Sequence, residues 1–161
     1  MRIALLGFMG SGKSTVGQLL AARLQLPFYD TDAEIVARLG TPIPELFRLK
    51  GEASFRDIEQ DVLATFSQRP EGVLATGGGI ITRETSRPLL QEWKKVFLAV
   101  EFDELLARLS DGERANRPLL ADLIEAKKLY EKRLPTYMAW ADIRVSSGTP
   151  EQVVASILGS L

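Results

Sequence analysis

The chain has 161 residues, 45% of them hydrophobic and 25% charged, enough apolar material for one domain that buries roughly 70% of its unfolded surface. A formal charge of −1 creates no basic field for nucleic acid or anionic membrane, and no apolar run approaches the ~20 residues that span a bilayer. Cysteine and histidine are absent, which excludes disulfides, thiolate chemistry and the commonest general base; catalysis falls to carboxylates, Lys, Arg, backbone amides or a bound metal.

The first predicted element is a strand over 2–6. "MRIALLGFMGSG" begins like the apolar core of a leader segment, but its glycines, and Lys13 after it, interrupt that core, so it reads as a strand entering a loop. "ALLGFMGSGKST" (4–15) then satisfies G-x-x-x-x-G-K-[ST] through Gly7, Gly12, Lys13 and Ser14, with Gly10 as an extra glycine. Glycines let successive N–H groups point into one concavity, and the helix that follows, over 13–25, adds its positive end. Lys13 is placed to reach the β- and γ-phosphates of a nucleoside triphosphate, and Ser14 to put its hydroxyl on Mg²⁺.

A short strand near Phe28–Tyr29 leads into "PFYDTDAEI" (27–35), with Asp30 and Asp32 at the start of a helix over 31–39. Two readings stand. Asp30 as N-cap and Asp32 in the first turn both favour the helix dipole. Beside a phosphate loop, the same carboxylates face the crevice, one toward Mg²⁺ through water and one toward an acceptor hydroxyl. No N-K-x-D motif is present and no D-x-x-G follows the second strand, which argues against a regulatory GTPase.

Helical patterns over 43–50 and 53–68 carry Arg56, and a strand over 73–76 runs into "ATGGGII" (75–81). An interior glycine costs roughly 0.5–1 kcal/mol against alanine. Gly77, Gly78 and Gly79 in succession therefore predict a bare backbone whose amides touch an acceptor or the γ-phosphate. A helix over 83–92, a strand over 95–100 and a helix over 103–110 follow. "DGERANRP" (111–118) reads as a lid or as an ordinary solvated loop. In the helix over 120–140, Pro135 within "RLPTY" predicts a kink beside Arg133. On periodicity alone Arg56 and Arg133 read as surface charges. A strand over 143–146 and a helix over 150–160 complete the chain. Strands with apolar centres alternating with helices predict an α/β fold of three layers, a five-stranded parallel sheet covered on both faces.

"GFMGSGKSTVG" (7–17), "FYDTDAEI" (28–35), "GEASFRDIE" (51–59), "TGGGI" (76–80), "NRPLL" (116–120) and "YEKRLPTY" (130–137), in this order and spacing, resemble the shikimate kinase family. The likeness covers essentially the whole chain. It implies the nucleoside-monophosphate-kinase-like P-loop NTPase fold in a single kinase domain over 1–161. The core would be about 1–30, 70–110 and 140–161, the acceptor-binding region about 31–60 and the lid about 110–120. It implies transfer of the ATP γ-phosphoryl group to the 3-hydroxyl of shikimate, in the pathway to chorismate and aromatic amino acids, with Mg²⁺ as cofactor. ATP would be held by Gly10, Ser11, Gly12, Lys13, Ser14, Thr15 and Arg117, and the metal by Ser14 and Asp30. Shikimate would be held by Asp32, Arg56, Gly78 and Arg133, with Lys13, Asp32 and the lid arginine Arg117 catalytic.

The chemistry agrees with that assignment, because shikimate carries one carboxylate and three hydroxyls. Such a molecule calls for planar cationic forks at one end and acceptors at the other. Arg108 is expected against adenine, with the "SSGTP" turn (146–150) flanking the base; Glu113 and Arg114 have no family role. A cytoplasmic monomer acting on small molecules, with no nucleic-acid or membrane partner, is expected. The rivals are a gluconate or nucleotide kinase of the same fold, and a catalytically silent module that binds ATP or a partner protein. Two arginines poised for a carboxylate favour shikimate over AMP but exclude gluconate less well. The presence together of Lys13, Ser14, Asp32 and Arg117 argues against the silent module.

Overall fold

A computed structural model describes residues 1–109 and 122–161, so Arg117 and the expected lid about 110–120 lie outside the described residues. The strands are β1 (Arg2–Leu6), β2 (Phe28–Asp30), β3 (Gly72–Ala75), β4 (Lys94–Ala99) and β5 (Ile143–Ser146). They form one sheet in the order β2-β3-β1-β4-β5, and every pairing is parallel, as the sequence predicts.

Burial on both faces explains why these strands are nearly continuous apolar runs. Ile3, Leu5, Val73, Val96, Leu98 and Val145 point to one side, against α1 (Lys13–Leu24) and the last helix, Pro150–Ser160. Ala4, Leu6, Leu74 and Phe97 point to the other. There they meet α3 (Ile43–Ser67), α4 (Phe102–Arg108) and α5 (Leu123–Trp140), with α2 (Thr31–Leu39) adding Ile35; the last helix is α6.

Register positions the functional loops. Ala75 pairs with both Leu5 and Asp30, so the exits of β1, β3 and β2 emerge side by side at the carboxyl edge of the sheet. Parallel α/β sheets bind ligands in the crevice outside that edge.

Three local features differ from, or refine, the sequence expectations. The helical patterns over 43–50 and 53–68 belong to one element broken at Gly51, whose φ of 78° and ψ of 170° suit glycine and few other residues. The helix expected over 83–92 is instead a series of 3₁₀ turns, Glu84–Ser86 and Pro88–Leu90. Pro88 has no N–H for the carbonyl of Glu84, and the bonds that form are three residues apart: Arg87 N to Glu84 O at 3.1 Å and Gln91 N to Pro88 O at 3.1 Å. Helix α5 continues through Pro135, which lies on its exposed side, as does Glu131, so the carbonyl that loses its N–H partner there is on the solvent side of the helix.

Candidate active site

The loop between β1 and α1 forms a cradle. Gly10 and Gly12 have φ of 82° and 88°, the left-handed region, which turns the chain tightly into the helix. Gly12 is the N-cap of α1, with no side-chain cap, and the first turn contains no acidic residue. No acidic residue of the first turn itself offsets the positive end of the helix, which favours an anion there. Lys13 is buried, and its Nζ donates to Gly7 O at 2.7 Å, Phe8 O at 3.0 Å and Ser11 Oγ at 3.3 Å.

A cleft of about 510 Å³ opens over this loop, lined by Gly10, Gly12, Lys13, Ser14 and Thr15 together with Asp30, Asp32 and Gly78. Arg108 lines both this cleft and a neighbouring pocket of about 270 Å³ whose wall includes Ser11, Ser147 and Gly148. Its Nη2 donates to Glu104 Oε1 at 2.7 Å. Arg108 and the 146–150 turn, separate expectations from sequence, thus share one pocket wall.

Asp30 caps α2, as one reading expects, and also reaches the phosphate loop. Its Oδ1 accepts from Asp32 N at 2.9 Å and Ala33 N at 3.1 Å and so caps α2, while Oδ2 accepts from Ser14 Oγ at 2.5 Å. One carboxylate therefore ties a helix start to the phosphate loop. Asp32, half-buried in the first turn of α2, faces the cleft.

The three glycines after β3 have no left-handed φ; what they supply is bareness. A Cβ on Gly77 would stand 2.3 Å from Glu59 Oε2 and 3.0 Å from Asp32 Oδ1. On Gly78 it would stand 3.1 Å from Met9 N of the phosphate loop, and on Gly79 2.2 Å from the guanidinium carbon of Arg56. Each glycine makes room for a different neighbour: a carboxylate pair, the cradle and a cation.

Beyond this shelf sit two buried arginines, the reverse of what periodicity suggests. The Arg56 Nη1 donates to Glu59 Oε1 at 2.9 Å and Nη2 to Glu52 Oε1 at 3.4 Å, while among the described residues Nε has no hydrogen-bond partner. Its guanidinium lies 5.3 Å from the Phe55 ring centre and 5.8 Å from that of Phe47. Arg133 stands over Phe8 at 5.7 Å with its guanidinium nitrogens buried, and the Tyr137 hydroxyl is the polar group beside it. Burial pulls the Arg133 guanidinium below its ordinary pKa, and the charge of Arg56 works the same way. Two guanidiniums buried near one another repel, and an anion between them is the chemistry such a pair can accommodate.

Glu59 is the residue that sequence reasoning missed. It is buried, and desolvation raises its pKa, while Arg56 opposes that and Asp32 adds to it. The available signal was its position three residues after Arg56, a spacing that stacks two side chains on one helix face.

The crevice thus joins an anion cradle, two carboxylates near it, a bare backbone shelf and a pair of buried cations. The family model described as shikimate kinase matches residues 9–161. A shikimate kinase of Aquifex aeolicus is 44% identical, with 100% of this chain and 96% of that relative covered. A solved shikimate kinase from Acinetobacter baumannii, in complex with shikimate, has a TM-score of 0.93 at 36% identity, covering 99% of this chain and 91% of that one. A gluconokinase from Sinorhizobium meliloti, at 20% identity with a TM-score of 0.62, covers 98% of this chain and 89% of its own; at that identity the likeness is one of fold.

Proposed function

The chain belongs to the shikimate kinase family and transfers the γ-phosphoryl group of ATP to the 3-hydroxyl of shikimate, and we propose that its crevice divides this reaction between a phosphate end built from backbone and an acceptor end built from side chains. The observation that carries this division is the burial of two guanidiniums, Arg133 and Arg56, close to one another beyond the glycine shelf. Two such forks suit a carboxylate, and shikimate supplies one.

At the phosphate end, Lys13 exchanges the carbonyls of Gly7 and Phe8 for β- and γ-phosphate oxygens, and the first-turn amides of α1 hold the same charge. Ser14 Oγ and Asp30 Oδ2 present two hard oxygen donors at the cleft wall, a set that suits Mg²⁺ with phosphates and water completing it. Bound there, Mg²⁺ supplies neutralisation of the charge on the transferred group. Asp32 orients the 3-hydroxyl and takes its proton as the bond from oxygen to the γ-phosphorus forms and the bond to the β-phosphate oxygen breaks. The N–H groups of Gly78 and Gly79 are directed to the acceptor. The role of Arg117 rests on family likeness alone. We treat the chain as one kinase domain with its acceptor region about 31–60, acting as a cytoplasmic monomer; among the described residues no helix is long and apolar enough to cross a membrane.

The test is ADP release with Mg·ATP and a panel of shikimate, gluconate, AMP and no acceptor. Turnover dependent on shikimate is expected. Turnover with gluconate alone would keep the phosphate end and overturn the acceptor assignment.

A further inference from the structure

We propose that two buried hydroxyls, those of Thr31 and Tyr137, are positioning residues that lock the Gly77–Gly79 shelf in register with the carboxylates on one side and Arg133 on the other. Thr31 is fully buried, and its Oγ1 accepts from Gly77 N at 2.8 Å. Tyr137 is buried, and its hydroxyl donates to Gly78 O. The remaining shelf carbonyls are held locally: Gly77 O accepts from Ile80 N at 3.1 Å, and Gly79 O from Thr82 Oγ1 at 2.7 Å and Thr82 N at 3.0 Å. Among the described residues, this leaves the N–H groups of Gly78 and Gly79 as the shelf's unengaged backbone donors.

The sequence positions of the two hydroxyls are informative. Thr31 lies between Asp30 and Asp32, so the bond that fixes Gly77 also fixes the distance from shelf to carboxylates. Tyr137 lies one helical turn after Arg133 on α5, with its ring stacked on Phe97 of β4 at 5.2 Å and 11°. The helix that presents the fork is thereby tied to the shelf that presents the amides. Glycines lose more backbone freedom on ordering than any other residue, so a shelf of three needs external anchors before it can hold a ligand at fixed geometry. Preorganisation of this kind appears in ligand affinity, because the ordering cost is met before binding.

The inference rests on shikimate being the acceptor, so wild-type turnover of shikimate is measured first; its absence would defeat that reading and leave the positioning roles without a substrate. With activity established, Tyr137→Phe keeps the ring on Phe97 and removes the hydroxyl that holds Gly78 O and also neighbours Arg133. Thr31→Val, away from both arginines in sequence and partner, keeps the shape and removes only the oxygen that holds Gly77 N. Each is expected to raise the shikimate KM about 3- to 10-fold while the ATP KM changes less than about 2-fold. Thr31→Ser, which restores the oxygen, is expected to return the shikimate KM to the wild-type value. A fall in thermal midpoint with an unchanged shikimate KM would reduce both residues to core packing and overturn the inference. Equal rises in both KM values, or a Thr31→Ser variant as impaired as Thr31→Val, would overturn it too. Should Tyr137→Phe give no folded protein, the Thr31 pair decides the outcome.

Discussion

At the phosphate end, the buried ammonium of Lys13 rests on the carbonyls of Gly7 and Phe8 and on Ser11 Oγ, whereas at the acceptor end the buried guanidinium of Arg133 lies over the Phe8 ring beside the Tyr137 hydroxyl. Both are buried cations. The lysine has a flexible stem and rotatable donors, so it can rest on its own loop and swing to a phosphate. The arginine is a planar fork held over Phe8 within the core, and only a ligand of matching shape completes it. The first arrangement costs little while empty. The second presents a buried planar fork, and a carboxylate is the group that meets it with two parallel bonds.

The contrast is broken most severely at Lys13. Lys13→Met is expected to cut kcat by about 10³-fold or more with the fold and shikimate binding retained, since charge on the transferring group loses its cation. Isothermal titration with shikimate, beside the kinetic assay, separates the two ends. Arg133 is expected to behave in the opposite way. Arg133→Lys should raise the shikimate KM roughly 10- to 100-fold with ATP little affected, because a point charge replaces a bidentate fork. Arg133→Met should abolish measurable acceptor binding and yet raise the thermal midpoint without ligand, because it removes a buried charge for which desolvation outweighs the contact with Tyr137. Each kcal/mol gained is worth about 2–4 °C in a chain of this size. A lower midpoint for Arg133→Met would mean that the guanidinium is well solvated in the empty site.

The glycine shelf, where the two ends meet, sharpens the comparison further because each position touches a different party. Gly79→Ala pushes on the Arg56 guanidinium and is expected to raise the shikimate KM about 10-fold; Gly77→Ala pushes on Glu59 and Asp32 and should lower kcat. Gly78→Ala meets Met9 N at 3.1 Å, a tight but not forbidden distance, and should give the mildest effect of the three, felt in turnover and acceptor binding more than in folding. Steady-state kinetics of the three variants provides the check. Three identical profiles would show that the shelf responds as one rigid body.

Legibility from sequence follows the same division. A cradle made of backbone needs particular residue types at fixed offsets, so Gly7, Gly12, Lys13 and Ser14 announce it within eight positions. The five strands were legible for a related reason, since burial on both faces writes itself as short apolar runs. The acceptor end draws on α2, α3, α5 and the turn after β3, and no local period shows that a helix face bearing Arg56 or Arg133 packs inward. Pro135 drew attention to Arg133, only the family resemblance pointed to Arg56, and Glu59 was not singled out. The helix expected over 83–92 failed on one residue, Pro88, whose missing donor outweighs an otherwise helical pattern.

The smallest expected effect concerns Glu59, which stands between the two styles of charge. Its carboxyl accepts from Arg56 Nη1 at 2.9 Å, yet burial outweighs that pairing and holds its pKa above the ordinary 4.5. Folded protein therefore binds this proton more tightly than unfolded chain does. The stability that Glu59 contributes through its proton is complete below pH 4.5 and is lost as pH rises through the folded value. Glu59→Gln is neutral throughout and lacks this decline, while titrations elsewhere cancel in the difference. Thermal midpoints of both proteins from pH 4 to 8 are expected to show wild type losing ground to the variant as pH rises. If wild type gained instead, the ion pair with Arg56 would outweigh burial. The acceptor end would then be satisfied at one of its two forks before any ligand arrives, leaving Arg133 as the cation that discriminates.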